Sequence, residues 1–404
     1  MVKKIINHKV IGRKLNLFFF YKNYNSSMPI WLSNGVFILN KIIKIINKYN
    51  IKNKYEEIKT PIFGNYILYK KSKHIEKYKN NMFRLFIKKK TYLKPMNCPY
   101  HCFVYKNLNN ISYRTMPKRF YEFGTVYRKE KSGEINGLFR MNTFTQDDGH
   151  IFCSNSKQTI KEIKKIIKII LKIYKKFKIK KYKIRLSLKD KNFKQYIGRK
   201  KNWKKSEAIL YKIKKIIEKK YKKKVVIKYG EAAFYGPKID FIIKDTYNRE
   251  WQLSTIQIDY NMPKKFKLKY ITKKNKEKTP IMIHRAYLGS IERFIAILIE
   301  HKKGKLPIWL IKTQLVILPV TYKNYNYCKK ILCKLLKLKI RAIIDKKKEN
   351  LNKKIKIYEK KKIPFICIVG DKEEKEKTIY IRNKKKKIKK INVFKYILNY
   401  INKS

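Results

Sequence analysis

In the run Phe-Thr-Gln-Asp-Asp-Gly-His, residues Phe144, Gln146, Asp148 and His150 alternate with Thr145, Asp147 and Gly149. Side chains on a strand point to opposite faces in turn, so the first set projects together and the second projects the other way. One face then gathers a ring, an amide, a carboxylate and an imidazole, groups that stack on a ligand, orient it, and hold a proton or a metal. A core strand would fill that face with Val, Ile or Leu; the ordinary alternative is a wet edge hairpin. Upstream, Arg119 to Glu130 is a second aromatic-rich run, and the loop between the two carries Gly133 and Gly137. The pattern predicts an antiparallel hairpin with a long, polar, mobile tip bracketed by Arg128 and Arg140.

Three further groups have chemistry in their type. Cys98 follows a strand-like stretch and directly precedes Pro99, a good first residue for a helix. A thiol there is biased toward thiolate, the form that binds metal. His150 ends the polar face of the hairpin, and His284 ends the run Pro280 to Ile283. Their spacing is far too wide to be a metal motif by itself, and lone histidines are usually structural or surface residues.

The elements that would position these groups follow from periodicity. Val36 to Tyr49 has helical spacing in Ile38, Ile42, Ile45 and Ile46, and a strand-like stretch leads to Thr60-Pro61-Ile62. Ile160 to Phe177 and Ser206 to Tyr221 read as helices. Strand signals lie near Tyr182 to Leu188, at Val225 to Ile227, Phe241 to Ile243 and Leu253 to Tyr260. This order suits an α+β fold, an antiparallel sheet with flanking helices. A boundary falls near Lys303-Gly304-Lys305-Leu306-Pro307, giving domains of 1–304 and 305–404. Beyond it strands (Gln314–Val320, Ile340–Asp345, Phe365–Val369) alternate with helices (Tyr325–Leu336, Leu351–Lys361, Val393–Ile401), the pattern of a small α/β domain.

Composition sets limits. The chain has 404 residues, enough for two or three domains, and no apolar stretch near the roughly 18 residues a spanning helix needs. Lys+Arg 105 against Asp+Glu 27 gives a net charge of +78, which favours a polyanionic partner. Lys, Ile, Asn, Tyr and Phe also dominate turns and helix exteriors, as an AT-rich genome would write, so charge does not locate a binding surface. The six scattered cysteines form no dense disulfide framework, and a reducing cytoplasm is the default. The basic start Met1 to His8 raises a transit peptide, but His8 to Leu17 already resembles the opening of a known family's sequence, a likeness that implies no removable presequence.

Several stretches, in one order, resemble the class II aminoacyl-tRNA synthetases and among them the threonyl enzymes. They are Lys94 to Pro99, Arg119 to His150 (the second class-defining motif), Ala233 to Lys238, and Met282 to Arg285 with Leu288 to Phe294. The likeness runs from about Asn7 to near the C-terminus. It implies a ligase that activates L-threonine with ATP to threonyl-adenylate and transfers it to the 3′ end of tRNA(Thr). It also implies a homodimer built on the helix and strand ending at Thr60-Pro61, and an anticodon-binding role for 305–404.

The resemblance assigns residues. Cys98, His150 and His284 match a zinc set, one ion per subunit, with an open position for the substrate's amino group and hydroxyl. His101 and Cys102 are read as ordinary helix residues. Arg128 matches the contact to α-phosphate and carboxylate, Glu130 the acceptor for the adenine amino group, and Phe144 with Arg293 the adenine sandwich. Arg140 and Ser290 complete the ATP side, and Mg2+ accompanies ATP. Only Arg293 and Ser290 of their helix are assigned to the site; Leu288, Ile291, Ile295 and Leu298 are its core stripe. Gln146 and Asp148 would orient the amino acid, Tyr235 and Gln257 would close its pocket, and Lys238 would face the substrate or tRNA end. His74 lines up with a histidine that removes a proton during transfer, a task suited to an unperturbed imidazole near pH ~6.5.

Some positions depart from the family. Lys73 and Ile75 replace the usual neighbours of His74, Tyr100 replaces a glycine, and Ser254 replaces another. Gln252 and Gln257, five apart, cannot share a face on a regular strand; either a bulge intervenes or only one faces the ligand. Family members usually carry N-terminal domains, one of which hydrolyses mischarged seryl-tRNA, and this sequence starts at the catalytic core, so no editing in cis is expected. Two rivals are a non-catalytic tRNA-binding paralogue, which has no need of Arg128, Glu130, Arg293 and the Cys/His trio, and a basic structural RNA-binding protein, which the motifs disfavour.

Overall fold

The computed structural model describes residues 7–21, 25–86, 90–190, 196–382 and 386–403. The basic start Met1 to Ile6, weighed above as a transit peptide, lies outside the described residues. Among these, no helix is long and apolar enough to cross a membrane. The chain packs as two units, Asn23–Met28 with Ile43–Ile297, and Met1–Lys22 with Pro29–Ile42 and Leu298–Ser404. By packing, then, the amino-terminal segment goes with the carboxy-terminal one: His8 hydrogen-bonds the buried Glu300 through its ring Nδ1 at 2.8 Å.

The first unit is built on an eight-stranded sheet. In chain order its strands are β1 (Glu56–Glu57), β2 (Lys118–Tyr127), β3 (Thr143–Cys153), β4 (Lys183–Leu188), β5 (Val225–Tyr229), β6 (Lys238–Lys244), β7 (Glu250–Asp259) and β8 (Ile281–Ala286). Their spatial order is β5-β4-β6-β7-β8-β3-β2-β1, antiparallel throughout except for the two end pairs, β5 with β4 and β1 with β2. Every residue of the central β8 is buried.

Helix Ser156–Lys176 shows how the sequence writes a sheet-covering helix. Asn155 caps it by accepting from the Gln158 N–H, and Ile163, Ile166, Ile167, Ile170, Ile173 and Tyr174 recur at three- and four-residue spacing on its buried face. The intervening lysines take the outer side.

Register decides what the sheet can do. Gln257 pairs with His284, and His284 pairs with His150, so three strands place these side chains in one row. The next pair, Arg285 with Gly149, projects to the opposite face. There Asp147 accepts from Arg285 Nη1 at 2.6 Å and from the backbone N–H groups of Tyr287 and Leu288 at 2.7 and 3.0 Å. Arg285 Nη2 donates to Asn50 Oδ1 at 2.7 Å, and its guanidinium lies over the rings of Tyr287 and Tyr55. A Cβ on Gly149 would stand 2.4 Å from that guanidinium, so only glycine leaves room for it.

The hairpin of β2 and β3 pairs from Lys118 with Phe152 to Tyr127 with Thr143, as the alternation predicts. Its tip is not the polar loop expected. Two short 3-10 turns, Ser132–Glu134 and Gly137–Phe139, fold it back, and Leu138, Phe139 and Met141 are buried. Phe139 stacks on Trp251, with ring centroids 4.6 Å apart and 12° between planes. The polar residues of the loop obscured these apolar ones, whose partner lies over a hundred positions away.

The second unit carries a five-stranded sheet, in spatial order Ala342–Ile344, Leu315–Pro319, Phe365–Val369, Thr378–Ile381 and Lys386–Lys389. The first three strands are parallel and the last two antiparallel, and helices Tyr325–Lys337 and Leu351–Lys360 connect the parallel ones. The α/β alternation is therefore present, with two added edge strands.

Asp147→Asn leaves the Arg285 guanidinium buried without its countercharge. Loss of one partner of such a pair is expected to cost about 3–5 kcal/mol, read as a lower denaturant midpoint in urea unfolding; a loss below about 1 kcal/mol would show the pair to be incidental.

Candidate active site

A cavity of about 240 Å³ opens on the front of the sheet, on the side away from Asp147 and bounded by Met96, Leu138 and Phe139. Arg128, Glu130, Arg140, Phe144, Gln146, Asp148, His150, Tyr235, Lys238, Gln252, Gln257, His284, Ser290, Arg293 and Cys98 all line it. His74 does not.

At one end stand Cys98, His150 and His284, all buried, with ligand atoms within 4.8 Å of one another. Cys98 opens the helix Cys98–Lys106, and the two histidines are the cross-strand pair of β3 and β8. His150 Nε2 lies 3.0 Å from His284 Nδ1. The outer nitrogens face away from this contact: His284 Nε2 is 3.1 Å from Asp259 Oδ2, and His150 Nδ1 is 2.9 Å from His101 Nδ1. Asp259 Oδ1 already accepts from the backbone N–H groups of Asn261 and Met262, so its carboxylate is fixed.

A thiol and two imidazoles, at least one of them backed by an immobile carboxylate, form the donor set of a soft-to-borderline divalent cation such as zinc. The helix N-terminus does not by itself make Cys98 a thiolate. Burial and the nearby Asp148 and Asp259 push the thiol well up instead, and a cation would be the group that reverses this.

Beside the trio, Asp148 accepts from Asn97 Nδ2 at 3.0 Å, and a Cβ on Gly124 would stand 2.5 Å from the Asn97 amide, so the strand gives way to it. Gln146 Oε1 and Asn97 Oδ1 are buried acceptors with no protein partner. Of these, Gln146 lines the cavity together with the Asp148 carboxylate, and an orphaned acceptor beside a carboxylate suits an ammonium ligand.

The other end is cationic. Arg293 is held by neutral groups only: Nε donates to the Phe139 carbonyl at 2.8 Å and Nη1 to the Gln252 carbonyl at 2.9 Å. Burial, with Arg128 and Arg140 nearby, lowers it to about 10. Arg128 donates to the Pro95 carbonyl at 3.3 Å and lies over the Phe144 ring at 5.1 Å. Two arginines without carboxylate partners are a site for an oxyanion. Arg140 is occupied, with Nε donating to Glu130 Oε2 at 2.9 Å and Nη2 lying 2.8 Å from Glu134 Oε2.

Strand β7 brings Gln252 and Gln257 to the same cavity because a bulge intervenes: Asp240 pairs with Thr255 but Ile242 with Gln252. Ser254 turns to the opposite side, where its hydroxyl meets the Tyr174 hydroxyl and the Tyr287 carbonyl. Lys238 Nζ sits 3.0 Å from Asp240 Oδ2 and donates to Gln252 Oε1 at 3.3 Å. Gln257 Nε2 donates to the Gly236 carbonyl at 3.0 Å, and the Tyr235 ring lies 5.0 Å from that of His284. Ser290 Oγ donates to Glu292 Oε2 at 2.9 Å and accepts from the Arg293 N–H. Tyr100 turns outward, donating to the Phe63 carbonyl at 2.6 Å.

His74 is fully buried, with Nδ1 2.7 Å from Ser72 Oγ and Nε2 3.1 Å from Met96 Sδ. Burial first, then His284 and Arg128, hold it at about 3, far from an unperturbed imidazole. His101, read from sequence as an ordinary helix residue, touches His150 directly. Only the fold supplies that neighbour, because 49 residues separate them.

Residues 83–302 match the tRNA synthetase class II core domain (G, H, P, S and T), and 314–399 match an anticodon binding domain. A threonine–tRNA ligase of Azobacteroides pseudotrichonymphae is 44% identical over 382 residues, 93% of this chain and 58% of that protein. The chain thus spans about 58% of the length of the curated relatives it matches. Among solved structures, the RNA binding domain of threonyl-tRNA synthetase from Cryptosporidium parvum Iowa II superposes with TM-score 0.87 at 33% identity, covering 98% of each chain. Prolyl-tRNA synthetase from the same genus and species, complexed with L-proline and AMP, gives TM-score 0.75 at 15% identity, covering 98% of this chain and 75% of that one, a likeness of fold alone.

The folded protein keeps His74 neutral where the unfolded chain would protonate it. Its contribution to stability is therefore whole above pH ~6.5 and lost progressively as pH falls from there toward about 3. Between pH 7.5 and 5 this amounts to about 2 kcal/mol. Denaturant unfolding at the two pH values should show His74→Gln losing less than the wild type by about that amount; equal losses would contradict the assignment.

Proposed function

The chain belongs to the class II tRNA synthetases of the G, H, P, S and T group, and within them to the threonyl family. From that premise we propose that it is a threonine–tRNA ligase, activating threonine with ATP and passing it to the 3′ end of a threonine tRNA. The carrying observation is the buried Cys98, His150 and His284 cluster with Asp148 and Gln146 at its side.

In this reading Cys98, His150 and His284 hold zinc. Zinc held there would offer coordination to the amino group and hydroxyl of threonine, a pair that valine, lacking the hydroxyl, cannot complete. Asp148 accepts from the ammonium, Gln146 orients it through its orphaned oxygen, and Tyr235 with Gln257 closes the pocket.

The reaction itself runs at the arginine end. A threonine carboxylate oxygen attacks the α-phosphorus of ATP, the bond to the β-phosphate oxygen breaks, and pyrophosphate leaves. Arg128 holds the carboxylate and α-phosphate in line as charge moves onto the leaving group, and Arg293, tethered by two carbonyls, meets the other phosphate oxygens. Phe144 and Arg293 sandwich the adenine, Glu130 accepts from its amino group with Arg140 steadying that carboxylate, and Ser290 anchors the turn from which Arg293 projects. Mg2+ would accompany ATP and offset the charge of its phosphates beside these arginines.

In transfer, a ribose hydroxyl of the tRNA attacks the adenylate carbonyl and AMP leaves. Lys238 lies toward that acceptor end. For His74 to take the proton, the Met96 side chain that covers its Nε2 would have to withdraw.

The rest of the proposal concerns partners. Domain 1–304 carries aminoacylation and domain 305–404 carries anticodon binding, which the match over 314–399 supports. A homodimer in the cytoplasm belongs to the same reading; the exposed Ile62, Phe63 and Ile67 beside Thr60-Pro61 support a covered face there.

ATP/pyrophosphate exchange tests the proposal. Threonine should drive exchange strongly, serine weakly and valine not at all, and Arg128→Ala should lower the rate by about 10²–10³-fold. Exchange that is independent of threonine, or equal with valine, would overturn it.

A further inference from the structure

His101 is a buried histidine to which the proposed reaction gives no task. It sits one turn after Cys98 on the helix Cys98–Lys106 with no exposed surface. Its Nδ1 lies 2.9 Å from His150 Nδ1, and its Nε2 lies 3.2 Å from Glu122 Oε1. Glu122 is pinned on β2: Oε2 accepts from the Thr60 backbone N–H at 3.0 Å, Oε1 accepts from the Thr60 hydroxyl at 2.7 Å, and Lys94 Nζ stands 3.6 Å from Oε1.

With both imidazoles neutral, these contacts permit one arrangement of hydrogens. A carboxylate only accepts, so His101 brings its hydrogen on Nε2 to Glu122. A neutral imidazole carries a single N–H, which leaves His101 Nδ1 as an acceptor. The facing Nδ1 of His150 must then be the donor, and His150 Nε2 is a bare lone pair turned toward Cys98 and His284. Asp259 does the same for His284 directly, accepting from Nε2 and leaving Nδ1 bare. Two lone pairs thus face each other at 3.0 Å beside a thiol, an arrangement that a cation completes.

We propose that His101, held by Glu122, is a positioning residue that fixes His150 in its metal-binding tautomer and orientation. The inference rests on the metal reading of Cys98, His150 and His284. The two histidine ligands are then oriented unequally, His284 by a carboxylate in contact and His150 by an imidazole that relays one from β2 through the helix. Any partner that fills the space of His101 without accepting at the Nδ1 position leaves His150 free to take the other tautomer, which cannot bind metal.

Zinc affinity of the full chain, measured by competition with a chromogenic chelator, separates positioning from packing. His101→Leu fills the site without an acceptor and should bind zinc about 10–100-fold more weakly. His101→Asn places a carbonyl oxygen near the lost Nδ1 and should restore most of that affinity. As a readout that needs no variant, 15N-histidine NMR of the zinc-loaded wild type, which has six histidines, should show the hydrogen of His101 on Nε2 and that of His150 on Nδ1. Wild-type zinc affinity in a folded His101→Leu, or a His101 hydrogen on Nδ1, would overturn the inference. A wild type that binds no zinc would instead overturn the metal reading itself.

Discussion

Everything at the site depends on the register between β3 and β8, and one buried ion pair on the far face holds it. Asp147 grips Arg285 and two successive backbone N–H groups beyond it, so the strands cannot slide without breaking three hydrogen bonds to one carboxylate. Because faces alternate, fixing Asp147 against Arg285 behind the sheet fixes His150 against His284 in front. The side chains of the candidate site are thus positioned from the opposite face of the sheet.

The cavity that results is polarised along its length. Acceptors and the Cys98, His150 and His284 cluster collect at one end and arginines at the other, where Arg140 is paired with carboxylates but Arg128 and Arg293 donate to carbonyls. Holding two partly buried guanidinium groups near each other on carbonyls alone is unfavourable for the empty protein. It suits a ligand that is itself polarised, an ammonium at one end and phosphates at the other. The unsatisfied groups therefore mark the shape of what belongs there.

Much of this was legible in the chain. The alternation from Phe144 to His150 placed those side chains on one face, and the apolar repeats of Ile163 to Tyr174 placed a helix, because both patterns are local. The resemblance placed Cys98 and His284, which spacing alone could not. What escaped were contacts across long separations: Phe139 on Trp251, which turned a polar-looking tip inward, and His101 on His150. The helix start at Cys98 can be read from Pro99, whereas its burial and the Asp148 and Asp259 carboxylates, which push the thiol up, can be seen only in the fold. The edge strands Thr378–Ile381 and Lys386–Lys389 are short and, in the second case, almost all lysine, so neither carried a periodic signal.

Gly124 and Gly149 give the hairpin a further property. Each leaves a hole in the sheet surface that a side chain from elsewhere occupies, Asn97 at one and Arg285 at the other. A peg seated in a socket resists sliding by shape, whatever the strength of the hydrogen bonds between strands. A one-residue slip of β3 against β8 would bring a side chain where Gly149 now stands against the Arg285 guanidinium, so shape as well as hydrogen bonding opposes that slip. Both pegs come from outside the hairpin, so each of its strands is tied by shape to a different neighbour, β2 to the turn before Cys98 and β3 to β8.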